Sequence, residues 1–383
     1  MNKFFSISFL SLFLTWSHLA AQTEDHVVGK NHWIDSNILE EKRNIQIFIP
    51  EGYEDSQSNF PVLYLLDGQR FFLHGVSLQQ SFRQYELTPG FIVVGITNQY
   101  PSRFNHFGEG KEKFLAFLKE EVIPYVEEKF RVNKSERILF GWEYGAGFTF
   151  HSLLTQPDLF DAYLLASPYP ILDKIQDLEK FDSLKKVLVY AVSTDEYEIN
   201  HAVDQLDSLL SAKKINGLDP IGLRLENEEH RSTGYATLYH GLRHYFRFYP
   251  ELQEDNLYKF LEKGGLNYAK AHAIERARRY GFAPELSLWS RFTIIRSAIR
   301  AEDFPHFEML LEGLESEKFI DELVNSNWAY GAGMIAEFYE KNAHYEETIP
   351  IYKKLLEKNP ESERLLSRIA NAFLQLGKEK EAN

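Results

Sequence analysis

The chain has 383 residues, 44% of them hydrophobic and 15% aromatic, too much apolar material for a disordered polypeptide, while a mean hydropathy of −0.36 argues against a multispanning membrane protein. Its 42 Lys and Arg against 56 Asp and Glu give a formal charge of −14, the wrong sign for a nucleic-acid partner. With no cysteine, disulfides, thiolate catalysis, cysteine-ligated zinc and iron–sulfur clusters are excluded.

Lys3 precedes an uncharged run from Phe4 to Trp16, followed by Ser17-His18-Leu19-Ala20-Ala21. This is the pattern of a secretory leader cleaved after Ala21, and the run is too short for a permanent membrane span. An exported protein, periplasmic or secreted, without a membrane span after cleavage is expected. From Asn44 onward, short runs rich in Val, Ile, Leu and aromatics predict strands at Ile45–Ile49, Val62–Leu66, Phe91–Ile96, Ile138–Phe140, Tyr163–Ala166, Val187–Val192 and Ile221–Leu225. Several are apolar at every position, as a parallel sheet covered on both faces requires. Between them, Lys111–Phe130, Gly145–Leu154, Asn200–Lys213 and Thr233–Phe246 carry apolar residues at helical spacing. The order predicts a doubly wound, mostly parallel α/β fold, in which reactive groups gather beyond the carboxyl ends of the strands.

After the strand Ile138-Leu139-Phe140 comes Gly141-Trp142-Glu143-Tyr144-Gly145-Ala146-Gly147 and then a helix. This is the frame of G-x-S-x-G, a sharp strand-to-helix turn that presents a nucleophile at its tip. Glu143 stands where the serine would be.

Further blocks follow the same frame: Pro61 to Gln69 (PVLYLLDGQ), Val94 to Asn98 with Arg103 following, Phe114 to Pro124, Pro157-Asp158-Leu159-Phe160 with Ala166-Ser167-Pro168, and Glu229-His230-Arg231-Ser232 with Leu238 to Leu242. In these blocks the chain resembles the esterase D and ferric enterobactin esterase family of α/β hydrolases, from about Asn44 to Tyr249. The resemblance implies that His230 is the general base and that its acid partner is Glu196, with Asp195 second. It also implies that the backbone N–H groups of Tyr144 and Gln69 are the oxyanion donors. The family acts on esters of sugars, siderophores and thiols, so a small-molecule ester or related ligand is the implied partner.

A glutamate cannot replace the serine hydroxyl in forming an acyl-enzyme with His230 as base. Three readings follow: a binding pocket that has lost ester hydrolysis, unconventional hydrolysis in which Glu143 is nucleophile or general base with His230, and serine chemistry from Ser167 or Ser193. Beside His230, the Glu143 charge should raise the histidine pKa. Arg103 offers a bidentate fork to an anionic substrate group or is a solvated loop residue, and Trp142 beside the tip is a further substrate-binding candidate. His240 and His244 are four apart on a helix, but no Glu stands in the H-E-x-x-H position, so no metal site is assigned. Nothing in the sequence supports a cofactor.

Beyond Tyr249 the strand-like runs stop and helical patterns continue. Ala336-Glu337-Phe338-Tyr339 and Glu347-Thr348 are followed 34 residues later by Ala370-Asn371-Ala372-Phe373 and Glu381-Ala382, resembling tetratricopeptide repeats. The tail is expected either to bind a protein partner or to cap the α/β domain and shape its pocket. The chain thus divides into a leader (1–21), an esterase-type α/β-hydrolase domain (22–252) and a helical tetratricopeptide-like domain (253–383).

Overall fold

The computed structural model of the protein describes residues 27–382; the expected leader at 1–21 lies outside the described residues. Strands β1 (Lys30–Ser36), β2 (Glu41–Phe48), β3 (Phe60–Leu66), β4 (Ile92–Ile96), β5 (Val132–Trp142), β6 (Ala162–Ala166), β7 (Val187–Ser193) and β8 (Asp219–Leu225) form one sheet in the order β1-β2-β4-β3-β5-β6-β7-β8. β1 pairs with β2, and β2 with β4, antiparallel. Every pair from β4 to β8 is parallel.

The sheet is apolar because both faces are covered. Helices α1 (Gly68–Gln84), α2 (Ser102–Phe107), α3 (Lys111–Phe117), α4 (Ile123–Lys129), α5 (Tyr144–Thr155), α6 (Tyr197–Ala212) and α7 (Thr233–Tyr245) alternate with the strands. On one face Phe107, Phe114, Phe148 and Leu206 from α2, α3, α5 and α6 form the core, and on the other Phe71, Phe82, Leu238 and Leu242 from α1 and α7. Burying such a side chain contributes about 1.5–3 kcal/mol, which is why β3, β4 and β6 carry almost no polar residue. The helix predicted across Lys111–Phe130 is broken by a π-helical turn at Leu118–Val122, one residue before α4 begins with Pro124 in its first turn.

Past Leu225 the described residues contain no strand. Helices α8 (Leu257–Glu262), α9 (Gly265–Tyr280), α10 (Leu288–Arg300), α11 (Phe304–Gly313), α12 (Ser316–Val324), α13 (Ala329–Lys341), α14 (Tyr345–Lys358), α15 (Glu363–Gln375) and α16 (Glu379–Ala382) follow one another. They enclose a core of their own that includes Phe260, Phe292, Phe307, Leu323 and Tyr352. The helix pair starting at Ala329 and Tyr345 is matched by the pair starting at Glu363 and Glu379, the same 34-residue offset seen in the sequence.

The tail meets the sheet at the end opposite the Glu143 turn, through α9. Arg279 donates to Glu136 Oε1 (3.1 Å), early in β5, and to the Tyr245 carbonyl (3.1 Å). Arg276 donates to the Tyr249 carbonyl (2.8 Å), and the Tyr249 and Tyr280 rings pack edge-on. The expectation of a cap over the pocket is therefore corrected: Glu136 lies in the first half of β5 and the Glu143 turn follows its last residue, so α9 docks away from that turn. The Arg279–Glu136 pair is half-buried, so losing it costs less than the loss of a fully buried pair. Arg279→Met should therefore loosen the tail, seen as faster proteolysis at the 251–256 joint with the sheet domain still folded.

Candidate active site

Glu143 sits directly after β5 and directly before α5, at φ 56° and ψ −121°. This backbone region is sparsely populated by L-residues and costs on the order of 1–3 kcal/mol. Surrounding bonds hold it there. The Glu143 N–H donates to the Ala166 carbonyl (3.0 Å), and its own carbonyl accepts from the N–H groups of Gly147 (3.0 Å) and Tyr169 (3.3 Å). Gly141 makes the turn possible, since a Cβ there would lie 2.2 Å from the Gly145 carbonyl oxygen, whereas one at Gly145 would meet only ordinary contacts from 3.5 Å. Of the two flanking glycines in the frame, the first is the steric requirement.

The Glu143 carboxylate is turned toward Arg103, not toward His230. Arg103 Nη1 donates to Glu143 Oε2 (3.0 Å), Nε and Nη2 grip both oxygens of Asp67 (2.8 and 2.9 Å), and Nη2 also reaches the Trp142 carbonyl (3.3 Å). The Arg103 and Asp67 side chains are only 5% and 2% exposed, and that of Glu143 26%. The solvated-loop reading of Arg103 is thus corrected. The residue lies in α2 with its fork occupied by Asp67, and Asp67 was missed as its partner because 36 residues separate them in sequence. Burial opposes the Arg103 charge, but Asp67 and Glu143 outweigh it and hold its pKa above the ordinary value. Burial likewise pushes the Asp67 carboxyl up, against the pull of Arg103.

His230 follows β8 in the loop before α7. Its Nδ1 makes a short bond to Glu196 Oε1. The second Glu196 oxygen accepts from Ser167 Oγ (2.9 Å) and from the Ser193 backbone N–H (2.8 Å), which fixes the carboxylate on the histidine. Asp195, the second candidate, is exposed and contributes only a backbone N–H, to Ser193 Oγ (3.2 Å). Ser167 and Ser193 are fully buried. The Ser167 hydroxyl serves Glu196, and that of Ser193 donates to the Glu228 carbonyl (2.5 Å), so neither is placed as a nucleophile. Trp142 joins the two halves: its indole N–H donates to the His230 carbonyl (2.8 Å) and its ring lies 4.8 Å from the imidazole. The N–H groups of Gln69 and Tyr144 belong to the first turns of α1 and α5, where no intrahelical acceptor exists. Tyr100, Phe104, Tyr144 and Tyr169 form an edge-to-face row beside the turn. Tyr169 also lines a cavity of about 500 Å³ with Leu172, Tyr197 and His201.

His230 has a raised pKa, first because Glu196 bonds its protonated form, with the Glu143 charge adding to the effect and burial and Arg70 opposing it. A raised histidine pKa stabilises the fold fully below the unfolded value of about 6.5, and that contribution is lost as pH climbs through the folded value. An NMR titration should therefore show the His230 pKa falling in Glu196→Gln and falling less in Glu143→Gln. His240 is exposed, and His244 Nε2 lies 3.1 Å from Asp219, so the two histidines face different surroundings.

The arrangement of strand, strained tip, helix and a histidine held by a buried carboxylate is that of a hydrolase elbow. A sequence profile of the family described as "Putative esterase" matches residues 36–255. The chain belongs to this esterase family. The siderophore triacetylfusarinine C esterase of Aspergillus fumigatus is 28% identical over 148 residues, 32% of this chain and 50% of that protein. The ferri-bacillibactin esterase BesA of Bacillus subtilis is 25% identical over 157 residues, 33% of this chain and 54% of that protein. The chain thus spans about half the length of these relatives. Among solved structures, an IroE-like serine hydrolase from Shewanella oneidensis superposes with a TM-score of 0.56 at 24% identity, covering 76% of this chain and 99% of that one. An uncharacterised protein from Capnocytophaga ochracea also gives 0.56, at 15% identity, over 90% of this chain and 99% of that one. At these identities the likeness is one of fold, and it fits an esterase-family sheet followed by a helical region.

Proposed function

We propose that this esterase-family protein binds a ligand in the old catalytic crevice without cleaving esters through an acyl-enzyme. The observation that carries the proposal is the 3.0 Å ion pair from Arg103 to Glu143, backed by the buried Arg103–Asp67 fork. A carboxylate neutralised by a guanidinium is a weaker nucleophile, and Glu143 makes no hydrogen bond to His230 among the described residues. The Glu143 charge adds to the rise of the His230 pKa, and no hydroxyl stands at the tip for the imidazole to deprotonate. The named relatives are siderophore esterases, so a siderophore or its fragment is the first ligand class to test.

A second reading keeps hydrolysis, with Glu143 and His230 acting together, and the intact His230–Glu196 pair favours it. Turnover of an ester panel by wild type, Glu143→Gln and His230→Ala separates the two. Binding alone gives no turnover above buffer in any of them. Wild-type turnover abolished by both substitutions supports the working carboxylate. The proposal extends to an exported protein whose tetratricopeptide-like tail, docked away from the crevice, engages a protein partner.

A further inference from the structure

The charges of the crevice pair off with one exception. Asp67 and Glu143 share Arg103, and Glu196 holds His230. Arg70, in the first turn of α1, is exposed; its backbone N–H donates to the Asp67 carbonyl (2.8 Å), but its guanidinium makes no ion pair or hydrogen bond among the described residues. It is nevertheless placed: its guanidinium lies 4.5 Å over the Trp142 ring, held there by the attraction of a cation for the ring face. The His230 imidazole lies 4.8 Å from the same indole. Two basic groups thus flank one ring, and Arg70 works against protonation of the histidine while Glu196 and Glu143 favour it. An anion received by both would relieve that repulsion. With Nδ1 committed to Glu196, Nε2 is the free ring nitrogen of His230.

We propose that Arg70 and His230 form a binding site for one carboxylate group of a ligand, with Arg70 the residue that selects charged over neutral ligands. A carboxylate suits the pair because its two coplanar oxygens match the guanidinium fork and leave a lone pair for the ring N–H. A singly charged group also suits the nearby Glu143, which would repel a dianion. This inference rests on the reading that the crevice binds rather than cleaves, and it names the chemistry of what is bound.

The test is an NMR titration of the full chain with butyrate and with its neutral isostere butyramide, followed at the Trp142 indole N–H at pH about 6.5, the ordinary histidine value. Butyrate is expected to bind at least about tenfold more tightly than butyramide, the scale of one charge-assisted hydrogen bond. Arg70→Gln should reduce that preference to less than about twofold. Arg70→Lys, which keeps the charge and loses the fork, should retain part of it. Equal affinities in the wild type, no binding of either compound, or a preference that survives Arg70→Gln would each overturn the proposal. Ester turnover by the wild type would instead remove the binding-only reading while leaving the butyrate preference standing.

Discussion

Glu143→Ser is expected to raise hydrolysis of an activated ester such as p-nitrophenyl butyrate at least about a hundredfold over wild type, the lower end of what a positioned base contributes. The residues proposed for the rest of a catalytic group are already ordered. His230 is fixed by Glu196, which is itself fixed by Ser167 and the Ser193 N–H. The N–H groups of Tyr144 and Gln69 open their helices, and the strained tip is already built at φ 56°. A serine hydroxyl is shorter than the glutamate, so it clears the space in front of the tip and ends its competition for Arg103. Removing the Glu143 charge also lowers the histidine pKa toward that of a useful base, because that charge is one of the causes of its elevation. A folded Glu143→Ser protein with no gain would mean that the crevice lacks more than its nucleophile.

The second large effect concerns stability. Arg103→Met leaves Asp67 buried without its ion pair and frees Glu143, and breaking a buried pair in this way costs about 3–5 kcal/mol. Urea unfolding followed by circular dichroism reads the loss as a lower midpoint at an unchanged slope. Asp67→Asn combined with Arg103→Met should recover part of it, because no uncompensated charge is left in the core. The interaction energy between the two sites should fall in the range of about 0.5–3 kcal/mol found for contacting residues. Additive losses would mean that Arg103 stabilises through its contact with the Phe107 ring, 5.2 Å away, more than through charge.

Much of the sheet was legible because its strands are covered on both faces. A run such as Ile92-Val93-Val94 needs no polar side, and each of the seven predicted strands overlaps an observed one. β1 escaped because Lys30–Ser36 forms an edge whose residues are mostly exposed, so its sequence KNHWIDS carries no apolar run. α1 was not among the segments read as helical, although Phe71, Val76 and Phe82 bury one face of it. In the site, the glycine frame marked Glu143, and the family resemblance put Glu196 ahead of Asp195. The coordinates add the reason: of the two carboxylates, it is that of Glu196 that bonds His230. Burial is likewise absent from a sequence, so Arg103 read as a loop residue and its partner Asp67 passed unnoticed. Arg70 carried no signal at all: an arginine without a carboxylate partner is recognisable only when its surroundings are known.

The central claim, that Glu143 is held by Arg103 and does not attack esters, is tested most directly by trapping. A carboxylate that attacked p-nitrophenyl butyrate would expel p-nitrophenolate and form a mixed anhydride, and hydroxylamine attacking its glutamyl carbonyl would expel butyrate and leave a hydroxamate on the glutamate. The wild-type protein is incubated with p-nitrophenyl butyrate and hydroxylamine, digested, and the peptide carrying Glu143 weighed by mass spectrometry. The account predicts an unmodified Glu143 peptide. A hydroxamate at Glu143, present only when the ester is added, would contradict it.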